Sequence, residues 1–187
     1  MEKSDAAEPD IGYEGLVPII AATAFVAPSA VVIGDVIIGE QASIWYSCIL
    51  RGDVNSIRIG ARSNIQDGTI VHVSPETSPT LVGDDVLVGH GVILHGCELQ
   101  NGCFIGIRAT ILNGAVVETG AMVAAGALVV EGTRIPAGEL WGGAPARKLA
   151  PLRSDIANGM KDAVRHYVEL GRRHARFNAQ RNRNPDN

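Results

Sequence analysis

Three of the chain's five histidines, His72, His90 and His95, lie close together in the sequence. Imidazole nitrogens are the donors of catalytic zinc sites, where three protein ligands leave one position open and the metal lowers the pKa of its water to about 7. Metal-assisted chemistry is therefore the first candidate. Yet His90 and His95, in VLVGHGVILHGCEL, are five residues apart. That spacing matches neither one face of a helix nor one face of a strand, so no single regular element aims both rings at one point. A longer period has to position them.

That period is six residues. Aliphatic side chains recur at Val26, Val32, Ile38, Ile44 and Leu50, then Ile59, Ile65 and Val71, then Val82, Val88 and Leu94, and finally Leu99, Ile105, Ile111, Val117, Val123, Val129 and Ile135. Two residues before each of these rungs lies a second column, nearly all of it small residues or Val, from Ala24 to Thr133, with Ile57 the one larger member. Glycine often follows a rung, as at Gly39, Gly60, Gly83, Gly89 and Gly106, which marks tight backbone passages. Hexapeptides of this kind predict a parallel β-helix. Three short strands close one roughly triangular coil of about 18 residues, and coils stack about 4.8 Å apart. The eighteen rungs thus make about six triangular coils of an all-β solenoid.

Labelling the faces in rotation puts Ile59, Ile65 and Val71 on faces one, two and three, and Val82, Val88 and Leu94 on the same faces one coil up. His72 and His95 each follow a face-three rung, so they stack outward on adjacent coils, close enough to converge on one ion. The same stacking also fits a plain polar ladder. His90 lies near the corner leading from face two into face three, out of reach of the pair in its own chain; a neighbouring copy packed on this edge would supply it.

The rest of the chain narrows the classes. It has 187 residues, is 46% hydrophobic but only 4% aromatic, and carries a formal charge of -4. That charge leaves no footprint for nucleic acid, and the basic C-terminal stretch RRHARFNAQRNR reads as a solvated helix end. No apolar run approaches a membrane span and MEKSDAAEPDIGYEG lacks a signal-peptide core, so a cytoplasmic protein without membrane contact is expected. Cys48, Cys97 and Cys103 all fall in the small inward column and are expected to be structural fillers. Ser154 is the expected N-cap of a helix with apolar positions Ile156, Met160, Ala163, Val164, Tyr167, Leu170 and Phe177, and His166 and His174 are expected on its surface. The organisation expected is a flexible N-terminus (1–15), a hexapeptide-repeat domain (16–150), a C-terminal helix (151–181) and a flexible tail (182–187).

LRGD at 50–53, IGARSNIQDGTIVH at 59–72, VGHGVILHGC at 88–97 and GGAPAR at 142–147 together resemble the gamma-class carbonic anhydrase family over roughly residues 16–150. The resemblance implies a left-handed β-helix, a homotrimer with interfacial metal sites, and hydration of CO2 to bicarbonate by a metal-bound hydroxide. It implies that His72 and His95 of one subunit and His90 of the next hold Zn2+, with Fe2+ or Co2+ also accommodated. Gln66 and Asn64 resemble residues that orient the reactants, and Arg51 and Asp67 resemble an intersubunit ion pair assisted by Asp53. On the ruler Asp67 lies under His90, and Arg51 lies one coil below His72. The best characterised members of the family carry proton-transfer glutamates that this chain lacks: Val54 follows Asp53, and Glu76 is the only acid of the loop VSPETSPT, so it is the remaining candidate for the relay. The rival readings are a metal-dependent acyl-CoA thioesterase or hexapeptide acyltransferase, and a non-catalytic assembly subunit.

Overall fold

The computed structural model describes residues 13–75 and 77–183. Residues 1–12 and 184–187, which hold most of the expected flexible termini, and Glu76 lie outside the described residues. The chain winds into a left-handed parallel β-solenoid of about seven turns, closed by one helix, α1 (Ser154–Arg183). The ruler therefore extends beyond the six coils read from the sequence. Ile20 pairs with Ile38 and acts as a rung before Val26, and Trp141 pairs with Val123 and acts as one after Ile135. Neither terminal rung looks like an interior one: among the described residues Ile20 has a coil on one side only, and Trp141 is backed by the antiparallel strand Arg147–Pro151 in place of a further coil. Ile20 stays 43% exposed.

Face two is an eight-stranded sheet running from Phe25–Val26 through Ser43–Ile44, Asn64–Ile65 and Leu87–Val88 to Glu139–Gly142, with the antiparallel strand Arg147–Pro151 at its edge. Faces one and three merge into a single sheet because Val31–Ile38 and Ile49–Ile59 run through the corner between them without a break. The register is that of the ruler: Ile59 pairs with Val82, Ile65 with Val88 and Val71 with Leu94.

Rungs such as Ile44, Leu50, Ile65, Leu94, Ile105 and Ile111 are fully buried in one continuous core. The small column sits beside them. Cys48, Cys97 and Cys103 are buried there without disulfides, and burial drives their thiols far up, Cys48 to about 11 and Cys97 to about 12. The glycines after the rungs allow close approach of successive coils: a Cβ on Gly60 would lie 2.3 Å from the backbone carbon of Gly83, and one on Gly106 would lie 2.4 Å from the nitrogen of Ala125.

Three buried hydroxyls of the small column do more than fill space. The Ser63 hydroxyl donates to the Gly83 carbonyl and accepts from the Val86 amide. Thr69 donates to Gly89 and accepts from Val92, and Thr80 donates to His72 and accepts from Gly96. One such stitch sits at each corner, and all three tie the coil of His72 to the coil of His90 and His95.

α1 runs back along face two. Met160 and Val164 pack on Leu87, and Gly171 brings the helix against Phe25 and Ser43 of the first coils. Two details of the expected helix change. The first helical hydrogen bond is accepted by the Arg153 carbonyl from the Ala157 amide, so Arg153 rather than Ser154 occupies the cap, with its guanidinium on Asp155. Phe177 is 58% exposed, because α1 has already crossed the first coil at Gly171 and its last turns run past the solenoid of the described residues. No helix among the described residues is long and apolar enough to cross a membrane.

Ile105 has a rung above it and one below, so its truncation leaves a cavity that neither coil can close. Ile105→Ala is expected to lower unfolding stability by about 2–5 kcal/mol, read from denaturant midpoints at unchanged slope; a loss below about 1 kcal/mol would mean the core repacks freely.

Candidate metal centre

Every departure from the six-residue spacing falls at the corner between face three and face one: the extra residues after Leu50 and Val71, and the missing one after Leu94. The histidine pair stands at this corner. His72 and His95 are paired in register, with ring centroids 5.0 Å apart and Nδ1 of His72 3.1 Å from Nε2 of His95. The outer nitrogens face acceptors: Nε2 of His72 lies 3.1 Å from Asp53 Oδ1, and Nδ1 of His95 lies 2.7 Å from Asn113 Oδ1. With its Nε2 proton donated to Asp53, His72 turns its Nδ1 lone pair toward Nε2 of His95, and the gap between the two nitrogens can hold one shared proton or one cation. Two ligands in a tetrahedral zinc shell stand about 3.3 Å apart, so the pair fits one metal ion. Among the described residues of one chain, no three His, Cys, Asp or Glu side chains converge to complete such a shell.

Partial burial works against the Asp53 carboxylate, but hydrogen bonds from Arg51 and His72 outweigh it and hold the carboxyl below its usual range. In the single chain Arg51 bonds Asp53, not Asp67.

His90 stands at the other edge of face three. Its Nδ1 is 3.0 Å from Asp67 Oδ2, both side chains being roughly half exposed, and the Gly91 amide donates to the Asp67 carbonyl one coil below. Beside it, on face two under α1, Gln66 Nε2 donates to Asn64 Oδ1 at 3.0 Å. The other end of Asn64, its Nδ2, is buried with no hydrogen-bond partner among the described residues.

The expected residues thus divide between two edges of one face. His72, His95, Asp53 and Arg51 line one edge; His90 and Asp67 stand at the other, with Gln66 and Asn64 beyond it on face two. Between them runs an in-register ladder of outward aliphatic side chains, Val31, Ile49, Ile70 and Ile93, each between 39% and 51% exposed.

Several participants were not visible in the sequence. Asn113, Ser74 and Thr80 bond to His95, to Asn113 and to the His72 carbonyl respectively. His174 is a correction: it is half-buried rather than on the surface, with Nδ1 2.9 Å from the Tyr46 hydroxyl and its ring against Phe25 and Trp45, because α1 turns that position onto the aromatic cluster of the first two coils. His166 is exposed as expected. A groove of about 690 Å³ between α1 and the opposite corner, lined by Arg62, Met160 and Val164 among others, contains none of the histidines.

A stacked histidine pair on a hexapeptide solenoid defines the class of protein, and comparison with known proteins defines the family. The chain is 51% identical over 168 residues to gamma carbonic anhydrase 1, mitochondrial, of Arabidopsis thaliana, covering 87% of this chain and 61% of that protein. It is 43% identical over 169 residues to a carbonic anhydrase of Geobacillus kaustophilus, covering 90% and 92%. Among solved structures, a hexapeptide transferase family protein from Anaplasma phagocytophilum superposes with a TM-score of 0.83 at 42% identity, covering 86% of this chain and 95% of that one. No family model matches the chain. The chain belongs to the gamma carbonic anhydrase family. It spans 60–65% of the length of three plant relatives.

Asp53 has a lower pKa in the folded chain than the unfolded value of about 3.9, so its stabilising contribution is present above that value and fades as pH falls through the folded one. Asp53→Asn is therefore expected to lose less stability than the wild type between about pH 6 and about pH 3 in urea titrations. Equal losses would show that the carboxylate is not coupled to folding.

Proposed function

We propose that the protein is a metal-dependent carbonic anhydrase that works as a homotrimer, with His72 and His95 of one subunit and His90 of the next holding Zn2+. The observation that carries this reading is the pair of facing ring nitrogens of His72 and His95, 3.1 Å apart, each ring backed by a polar partner, Asp53 or Asn113. Fe2+ and Co2+ suit the same imidazole set. The bound metal supplies a Lewis acid that brings the pKa of water to about 7.

The chain's own residues do the rest. The aliphatic ladder between the two edges is the surface that a neighbouring copy covers, which places the His90 edge of one subunit against the His72 edge of another. Asp67 orients the His90 ring through its Nδ1. Gln66 arrives beside the His90 edge and its amide positions CO2 and bicarbonate, while Asn64, buried beneath α1, orients Gln66 by accepting from its Nε2. Across the interface Arg51 exchanges part of its bond to Asp53 for Asp67, joining the two edges. Val54 is exposed beside Asp53 and cannot accept a proton. Glu76 is the carboxylate left for proton export, and turnover is accordingly limited by that step.

Elemental analysis combined with stopped-flow CO2 hydration tests the reading. The purified trimer is expected to contain metal, to hydrate CO2 slowly in dilute buffer and to accelerate with imidazole concentration. A fully metallated trimer inert under both conditions would point instead to acyl transfer, acyl-CoA hydrolysis or a structural role.

Subunit sharing has a separate test. His72→Ala and His90→Ala should each lose nearly all metal. When the two variants are unfolded together and refolded as mixed trimers, about a quarter of the sites combine intact donors from both chains and regain metal. No recovery after verified exchange would exclude the interfacial site.

A further inference from the structure

Asn113 belongs to the next coil up, in the hexapeptide that follows Ile111. Its Oδ1 accepts the Nδ1 proton of His95 at 2.7 Å, and its Nδ2 donates to the Ser74 hydroxyl at 3.0 Å. The amide lies with Oδ1 toward His95 and Nδ2 toward Ser74; turned over, it would donate to an unprotonated Nδ1 and accept from the Ser74 hydroxyl, so the two amide orientations go with the two tautomers of His95. Ser74 is itself fixed, because its amide donates to the Ser78 carbonyl in the excursion that follows His72.

Room for the Asn113 amide comes from Gly96, the residue after His95. A Cβ there would lie 2.4 Å from Asn113 Oδ1 and 2.6 Å from the Ser78 Cβ, and Gly96 also has a φ of +59°. The Gly96 amide accepts no freedom either: it donates to the His72 carbonyl and to the Thr80 hydroxyl. Three consecutive coils therefore meet at the Asn113 amide: the coil of His72 through Ser74, the next through His95 and Gly96, and the coil that carries Asn113 itself.

We infer that Asn113, held against Ser74 and admitted by Gly96, is a positioning residue that holds His95 in the Nδ1–H tautomer and so presents its Nε2 lone pair to the metal. An isolated neutral imidazole favours the opposite tautomer, with the proton on Nε2, which would place a proton where a ligand lone pair is required. Partners behind metal-binding histidines commonly change affinity by about 10–100-fold. The inference rests on the metal-centre reading above, but its first test does not.

The experiment uses long-range 15N–1H NMR of the histidine rings in the metal-free protein at mildly alkaline pH, alongside zinc affinity measured by chelator competition. Wild type is expected to show the Nδ1–H tautomer at His95. Asn113→Ala is expected to move His95 toward Nε2–H and to weaken zinc about 10–100-fold. Asn113→Asp, which keeps an acceptor at the same place and can take a proton from Ser74, is expected to retain the tautomer and most of the affinity. His95 in the Nε2–H form in wild type, or an unmoved tautomer in Asn113→Ala, would overturn the inference. So would an Asn113→Ala protein with shifted tautomer and undiminished zinc affinity. If wild type shows Nδ1–H but takes up no zinc, the metal-centre reading fails while the positioning role of Asn113 stands. Folding of both variants is checked by their far-UV circular dichroism and by the Ile105 and Leu94 methyl signals, so a collapsed variant is not mistaken for a shifted one.

Discussion

In-register stacking of coil on coil is the constraint from which the remaining features follow. Every outward side chain has a partner about 4.8 Å above and below, so two histidines at equivalent places on adjacent coils meet whether or not anything else draws them together. Backbone ladder bonds alone do not choose the register, since a slipped strand still forms them. The choice is made by side chains: a slip of one residue would turn rungs such as Ile65 and Val88 outward and bring Gln66 or Gly89 into the core. The buried hydroxyls of Ser63, Thr69 and Thr80 reinforce that choice where it matters most. Each would lose two hydrogen bonds on slippage, in an interior with no water to replace them.

Against this regularity the third corner stands out. The other two corners keep the six-residue count through all the coils, and they carry the groove along α1 and the His90–Asp67 contact. The third corner lengthens twice and shortens once. The lengthening after Leu50 carries Asp53 outward to His72; the one after Val71 forms the Ser74–Ser78 bridge; the shortening after Leu94 makes the tight passage at Gly96. A strictly periodic solenoid would repeat one edge along its whole length. Irregular spacing at one corner is what lets two coils differ from their neighbours while the core beneath them remains continuous.

This contrast also explains how far the sequence could be read. The rungs and the small column declare themselves because burial on every coil imposes the same demand at the same interval, and the pairing of His72 with His95 follows from counting. The end rungs escape the count, since Ile20 is covered on one side only and Trp141 is not the kind of residue the interior selects. Asn113 escapes for another reason. It sits in an ordinary turn, ILNGA, where Asn is common for its backbone preferences, and its tie to His95 exists only once three coils are stacked. His174 is similar: periodicity marks Leu170 as inward, but that a polar ring four residues on should lie against Phe25 and Trp45 depends on how far α1 reaches along face two. The meeting of the His90 edge with the His72 edge is less legible still, because it joins two chains and leaves only the exposed aliphatic ladder as its trace in one.

A solenoid is open-ended, which gives the two-coil character of the site a consequence for its evolution. Whole coils can be gained or lost toward either end, shifting the donor pair along the axis without changing its surroundings, so long as every subunit changes alike. A coil spliced between Val71 and Val82 would instead part the two rings by another strand spacing, about 4.8 Å, and separate Ser74 from Asn113 at the same stroke. Length is therefore a neutral character in such proteins everywhere except across a single seam, and relatives of very different sizes can share the same chemistry if that seam is intact.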